Sequence, residues 1–148
     1  MLVNPSTSFR VNSIDKMRAL ARRVASSLKP GDVLLLKGEL GSGKTTFVQE
    51  LAEALGVGDQ VTSPSFTLVT EYDVVGRAGI KRLVHLDLYR LSDDEAAQEP
   101  VVQEALEQRE GVVVVVEWAD KLGQSMPAGA REIKFAHGAT NGERLVTL

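Results

Sequence analysis

Cysteine is absent from the 148 residues. Disulfides, thiolate metal sites and a cysteine nucleophile are excluded, and the composition suits a reducing compartment. No stretch is long and apolar enough to span a bilayer, so no membrane partner is expected. The segment Met1-Leu2-Val3-Asn4-Pro5-Ser6 lacks a basic region followed by an apolar run, so it does not read as a signal peptide, and a cytoplasmic protein is expected. Positive charge is not in excess. The net charge of −3 gives no sign of a nucleic-acid surface, and contact with RNA is expected to be indirect. Repeats, low-complexity tracts and an interdomain linker are missing too. The length suits one domain, residues 1–148, with a sizeable core.

Against this ordinary background one stretch stands out. Gly38-Glu39-Leu40-Gly41-Ser42-Gly43-Lys44-Thr45 satisfies G-x-x-x-x-G-K-[ST] at every fixed position. The apolar run Val33-Leu34-Leu35-Leu36 precedes it and reads as a buried strand; Thr46 to Leu55 follows as a helix closed by Gly56. Gly41 and Gly43 permit backbone angles that let successive N–H groups turn toward one anion. The helix adds its positive N-terminal end. Residues 39–46 (Glu39, Leu40, Gly41, Ser42, Gly43, Lys44, Thr45 and Thr46) are therefore the candidate phosphate cradle. Lys44 is placed to reach the β- and γ-phosphates, and Thr45 to offer its hydroxyl to Mg²⁺.

Two further strands end on carboxylates. Leu83-Val84-His85-Leu86-Asp87 closes the second strand of an expected hairpin, Thr67–Val75 with Ile80–Leu88 turning at residues 76–79. Val112 to Val116 is apolar on both faces and reads as a central strand covered by helices, ending in Glu117-Trp118-Ala119-Asp120. Acids at the ends of such strands point into a nucleotide crevice. Asp87 and Glu117 both compete for the Mg²⁺ role, one directly and one through water, while a carboxylate positions the attacking water. His85 is read as a structural hydrogen-bonding residue. Trp118 is open between stacking on a base, plugging the site, and a core or partner contact.

Between the loop helix and the hairpin lies Thr62-Ser63-Pro64-Ser65-Phe66-Thr67, too polar for a strand interior. It is either an ordinary Ser-Pro turn or a switch whose hydroxyls (Thr62, Ser63, Ser65, Thr67) order around a triphosphate.

Elsewhere, residues 6–12 read as an edge strand, and Ser13 caps a helix burying Met17, Leu20, Ala21, Val24 and Leu28. Lys16, Arg18, Arg22 and Arg23 of that helix read as a solvated face, with an RNA- or partner-facing stripe as the alternative. Ser92-Asp93-Asp94-Glu95 opens another helix, which Pro100 interrupts. Residues 121–131 read as a loop, and Glu132–Ala136 with Arg144–Leu148 as a terminal antiparallel hairpin. Guanine-specific sites carry N-K-x-D; Asn4, Asn12 and Asn141 are the only asparagines and none precedes lysine. ATP is favoured over GTP.

Four blocks, residues 38–46, 62–69, 85–91 (His85-Leu86-Asp87-Leu88-Tyr89-Arg90-Leu91) and 116–118 (Val116-Glu117-Trp118), resemble in order and spacing the TsaE (formerly YjeE) family of ATPases, which take part in forming threonylcarbamoyladenosine in tRNA. The resemblance covers about residues 33–120. It implies an α/β fold: one P-loop NTPase-like domain whose mixed, mostly parallel central sheet is flanked by helices, with an antiparallel C-terminal extension. It implies ATP in the loop, Mg²⁺ held by Thr45 and Glu117, and Lys44, Asp87 and Glu117 as the catalytic set. The implied activity is weak ATP hydrolysis that cycles a transfer complex of TsaD-like and TsaB-like partners. The alternative is a stand-alone small-molecule or nucleoside kinase. One departure is visible: Asp94 to Val101 lacks the leucine and glycine usual after D-L-Y-R-L, which bears on a partner-facing helix and not on the nucleotide residues. The terminal hairpin is too generic to carry roles, and residues 142–144 are expected to approach the nucleotide.

Overall fold

The computed structural model describes residues 7–64, 66–75, 77 and 79–148. Ser6 of the expected edge strand, Ser65 of the hydroxyl segment, and Gly76 and Ala78 of the expected turn lie outside them. Among the described residues, seven strands pair into one sheet. They are β1 (Ser8–Val11), β2 (Val33–Gly38), β3 (Val69–Asp73), β4 (Arg82–Asp87), β5 (Val112–Glu117), β6 (Arg131–His137) and β7 (Arg144–Thr147), in the order β1-β7-β6-β2-β5-β4-β3. The four central strands are mutually parallel: β2 pairs with β5 and β6, and β5 pairs with β4. The outer pairings β3–β4, β6–β7 and β1–β7 are antiparallel. The expected mixed sheet with an antiparallel C-terminal extension is what forms.

Helices cover both faces, and the period-2 alternation of the strands decides which side chain meets which layer. Leu34 and Leu36 of β2, Leu83 of β4, and Val113 and Val115 of β5 pack with α1 (Ile14–Ser27) and α2 (Lys44–Leu55). The intervening residues Val33, Leu35, Val84, Leu86, Val114 and Val116 pack with α3 (Asp93–Gln98), α4 (Pro100–Glu107) and a short 3-10 helix, Ala119–Ser125. The five valines of β5 are at most 1% exposed. Each such burial is worth on the order of 1.5–3 kcal/mol, so β5 is the anchor of both layers.

Local signals set most boundaries. Ser13 accepts from the Lys16 N–H at 3.2 Å and starts α1. Ser92 and Glu95 form the reciprocal capping box that starts α3. Pro100 does not bend one helix; it begins a second, occupying the first turn of α4 where its missing N–H costs nothing. Three expectations are corrected. Residues 119–125, expected to be partly loop, form the 3-10 helix, whose Ala119 and Leu122 are buried against the second layer. Thr67 lies in a turn, and β3 begins at Val69. The helix after the loop begins at Lys44 rather than Thr46.

Gly38 shows why the turn into the cradle needs glycine. At φ +155° its missing Cβ would stand 2.4 Å from the Phe135 carbonyl oxygen of β6. Backbone therefore passes closer to backbone than any other residue allows. Because β2, β4 and β5 are parallel, their C-terminal ends share one edge of the sheet. Register pairs Asp87 with Glu117, and Glu117 with Leu36, two residues before Gly38.

Candidate nucleotide site

A cavity of about 660 Å³ opens at that edge. Residues 40–46 form one wall, and Asp87 and Glu117 lie at its base. Gly43 adopts the left-handed conformation (φ +102°) and precedes α2, so the helix N-terminus faces into the cavity mouth. No side chain caps that end. Its N–H groups are left for an outside acceptor.

Lys44 is folded back. Its Nζ donates to the carbonyls of Gly38 and Glu39 and lies 4.2 Å from the centre of the Trp118 ring. Burial pushes the ammonium below the usual lysine range, opposed by the carboxylates of Glu117, Asp87 and Asp120. Thr45, in the first turn of α2, donates its hydroxyl to Glu117 Oε1 at 2.8 Å. Glu117 is 2% exposed, and its Oε2 lies 2.6 Å from His85 Nε2. Asp87 accepts from the Ser63 hydroxyl at 2.6 Å and from the Tyr89 N–H at 3.0 Å. Arg144, reaching over from β7, donates to the Gly41 carbonyl at 3.0 Å.

The structure brings most of the sequence-predicted site residues together around one cavity and leaves a few apart. Leu40, Gly41, Ser42, Gly43, Lys44, Thr45, Thr46, Asp87 and Glu117 all line the cavity. Glu39 does not; its carbonyl accepts from Lys44 Nζ at 3.0 Å and from the Ser42 N–H at 3.1 Å. Of the three described hydroxyl residues in the candidate switch, Ser63 lines the cavity and Thr62 and Thr67 do not; Ser65 lies outside the described residues. Thr62 is held through its N–H by the Tyr72 hydroxyl at 3.4 Å, and the Thr67 hydroxyl donates to the Val69 carbonyl at 3.2 Å. Trp118 lines the cavity beside Tyr89, with ring centres 5.1 Å apart. Of residues 142–144, Gly142 and Arg144 line it. The wall built by Val11, Asn12, Ser13, Ile14 and Met17 had no signal in the sequence, where Met17 reads simply as a core position of α1.

The donor set suits a phosphate ligand with a hard cation. Ser42 Oγ is buried without a partner among the described residues. Among those residues, no three of His, Cys, Asp and Glu converge as a metal cage. One hydroxyl and one carboxylate, Thr45 and Glu117, fit an ion that takes its remaining ligands from phosphate oxygens and water, as Mg²⁺ does. No helix among the described residues is long and apolar enough to cross a membrane.

A glycine loop strung between a buried parallel strand and a helix, with carboxylates ending the neighbouring strands, makes this a protein of the phosphate-loop NTPase type. The model of one family within that class, described as threonylcarbamoyl adenosine biosynthesis protein TsaE, matches residues 11–146, and the chain belongs to that family. It is 36% identical over 139 residues to the tRNA threonylcarbamoyladenosine biosynthesis protein TsaE of Bacillus subtilis (strain 168), covering 94% of this chain and 82% of the relative. The protein of the same name from Streptomyces coelicolor is 41% identical over 104 residues, covering 70% of this chain and 68% of the relative. The fold is similar to the crystal structure of Bacillus subtilis YdiB, with a TM-score of 0.70, 32% identity, and coverage of 99% of this chain and 86% of that one.

Proposed function

We propose that the cavity binds ATP with Mg²⁺, and that slow hydrolysis there serves the formation of threonylcarbamoyladenosine in tRNA by cycling a complex of TsaD-like and TsaB-like proteins. The observation that carries this reading is the Thr45–Glu117 hydrogen bond at 2.8 Å, which joins the phosphate-loop helix to the end of β5 at the base of the cradle. The family names of the relatives supply the tRNA context.

Each residue then has a task. The amides of residues 41–45 bind phosphate oxygens. Lys44 leaves the Gly38 and Glu39 carbonyls for the β- and γ-phosphates, exchanging neutral acceptors for charged ones. Thr45 and Glu117 would hold the cation. When bound, Mg²⁺ supplies positive charge at the phosphate oxygens as negative charge builds on them. Asp87, released by Ser63, orients water toward the terminal phosphate. Arg144 keeps the loop in shape through Gly41.

Depletion of the protein, followed by quantitation of modified adenosine in tRNA, tests the pathway; unchanged levels overturn it. Titration of ATP into the purified chain with Mg²⁺ and with EDTA tests the site. Transfer of labelled γ-phosphate to a small acceptor, and not to water, would instead establish the kinase alternative.

A further inference from the structure

We infer that His85 is a positioning residue for the metal ligand Glu117: its ring pins one carboxylate oxygen so that the other is presented to Thr45 and the cation. This rests on the reading of the cavity as a Mg²⁺–nucleotide site.

His85 occupies a position where the strand pattern calls for an apolar side chain. It lies between Leu83 and Asp87 on the face of β4 that packs toward α1 and α2, and it is fully buried. The pairing of Asp87 with Glu117 in the β4–β5 register places His85 opposite Val115, two residues before Glu117 and on the same face. Its Nε2 is 2.6 Å from Glu117 Oε2. An ionised carboxylate can only accept, so Nε2 carries the hydrogen. Nδ1 has no partner among the described residues.

That unpartnered nitrogen separates positioning from filling. Leucine or phenylalanine would fill this volume without burying an orphan polar atom, so packing alone gives no reason for a histidine. The return on the orphan is the orientation of Glu117. The terminal torsion of a glutamate is broad and weakly restrained. With Oε2 held by the ring and Oε1 facing the Thr45 hydroxyl, the carboxylate plane is fixed from both sides by regular elements, β4 and α2. This is the usual arrangement by which an outer hydrogen-bond partner orients a metal-binding carboxylate.

The test is a Mn²⁺ titration, followed by electron paramagnetic resonance, of the full chain saturated with a non-hydrolysable ATP analogue. Nucleotide affinity in EDTA and thermal unfolding are measured alongside. His85→Phe keeps a planar ring and removes the donor. It is expected to weaken Mn²⁺ binding about 10–100-fold while leaving affinity in EDTA unchanged. His85→Gln, whose side-chain nitrogen is as many bonds from Cα as Nε2, is expected to recover most of that loss. Wild-type Mn²⁺ affinity in His85→Phe overturns the proposal. So does His85→Gln binding Mn²⁺ no better than His85→Phe, or a loss that appears equally in EDTA. If the unmutated chain shows no nucleotide-dependent Mn²⁺ binding, the Mg²⁺–nucleotide reading itself falls and the role of His85 falls with it. That failure is visible before any substitution is made.

Discussion

Asp87 and Glu117 end adjacent parallel strands in register, yet the protein holds them in opposite ways. Glu117 is tied to regular elements: Thr45 in the first turn of α2, and His85 inside β4. Asp87 is tied to connecting segments: Ser63, between α2 and β3, and the Tyr89 N–H that follows it in the chain. The segment that Ser63 belongs to ends at Leu68, a non-glycine residue at φ +66° whose carbonyl accepts the Asp87 N–H. A left-handed leucine carries backbone strain of about 1–3 kcal/mol, of the kind that collects at switching sites. The contrast assigns the acids different work. Under the proposed function, Glu117 belongs to the frame and keeps a fixed geometry, and Asp87 belongs to the part whose partners exchange.

The largest expected effect is at the frame. Glu117→Ala should abolish the contribution of Mg²⁺ to nucleotide affinity, measured by titration with and without EDTA. It should also cost about 1–3 kcal/mol of stability in denaturant unfolding, because a buried imidazole N–H and the Thr45 hydroxyl lose their acceptor. Asp87→Asn should leave nucleotide affinity in place and lower turnover by about a hundredfold, as loss of a water-orienting group does. If the two variants give the same pattern, the division of labour between the acids is wrong.

A smaller effect belongs to Lys44. Its folded pKa is lowered by burial, so the unfolded chain holds its proton to higher pH. Wild type should therefore gain stability relative to Lys44→Met as pH rises from the lowered value toward the ordinary lysine value, measured by unfolding at a series of alkaline pH values. The smallest belongs to a pair that links β2 to β6. Lys37 Nζ donates to Glu132 Oε1 at 2.8 Å and holds that carboxyl below its usual range. Its contribution is present above the ordinary glutamate value and fades as pH falls through the folded one. Glu132→Gln should remove this acid dependence and change neutral stability by less than about 1 kcal/mol, because the pair is exposed.

What the sequence made legible follows the range of the forces involved. The phosphate loop, the caps at Ser13 and Ser92, and the break at Pro100 are local, written in adjacent residues, and they appear where expected. The run of valines in β5 announces a buried strand because no exposed strand tolerates it. The wall from Val11 to Met17 was illegible because it depends on which strand β1 pairs with, a contact between residues more than a hundred positions apart. The His85–Glu117 bond is likewise set by the register of β4 against β5. The 3-10 turns after Trp118 were hidden by Gly123, which reads as a loop residue and lies inside them with non-helical angles.

Trp118 is the chain's one tryptophan, and the Lys44 ammonium rests against its ring. Under the proposed function that lysine leaves the ring whenever a triphosphate enters. The emission of a single indole would then change with every binding event, giving the protein a built-in optical gauge of its own cycle, readable in unlabelled material and in stopped flow. The neighbouring Tyr89, with its ring centre 5.1 Å away, is close enough to pass its excitation to the same emitter.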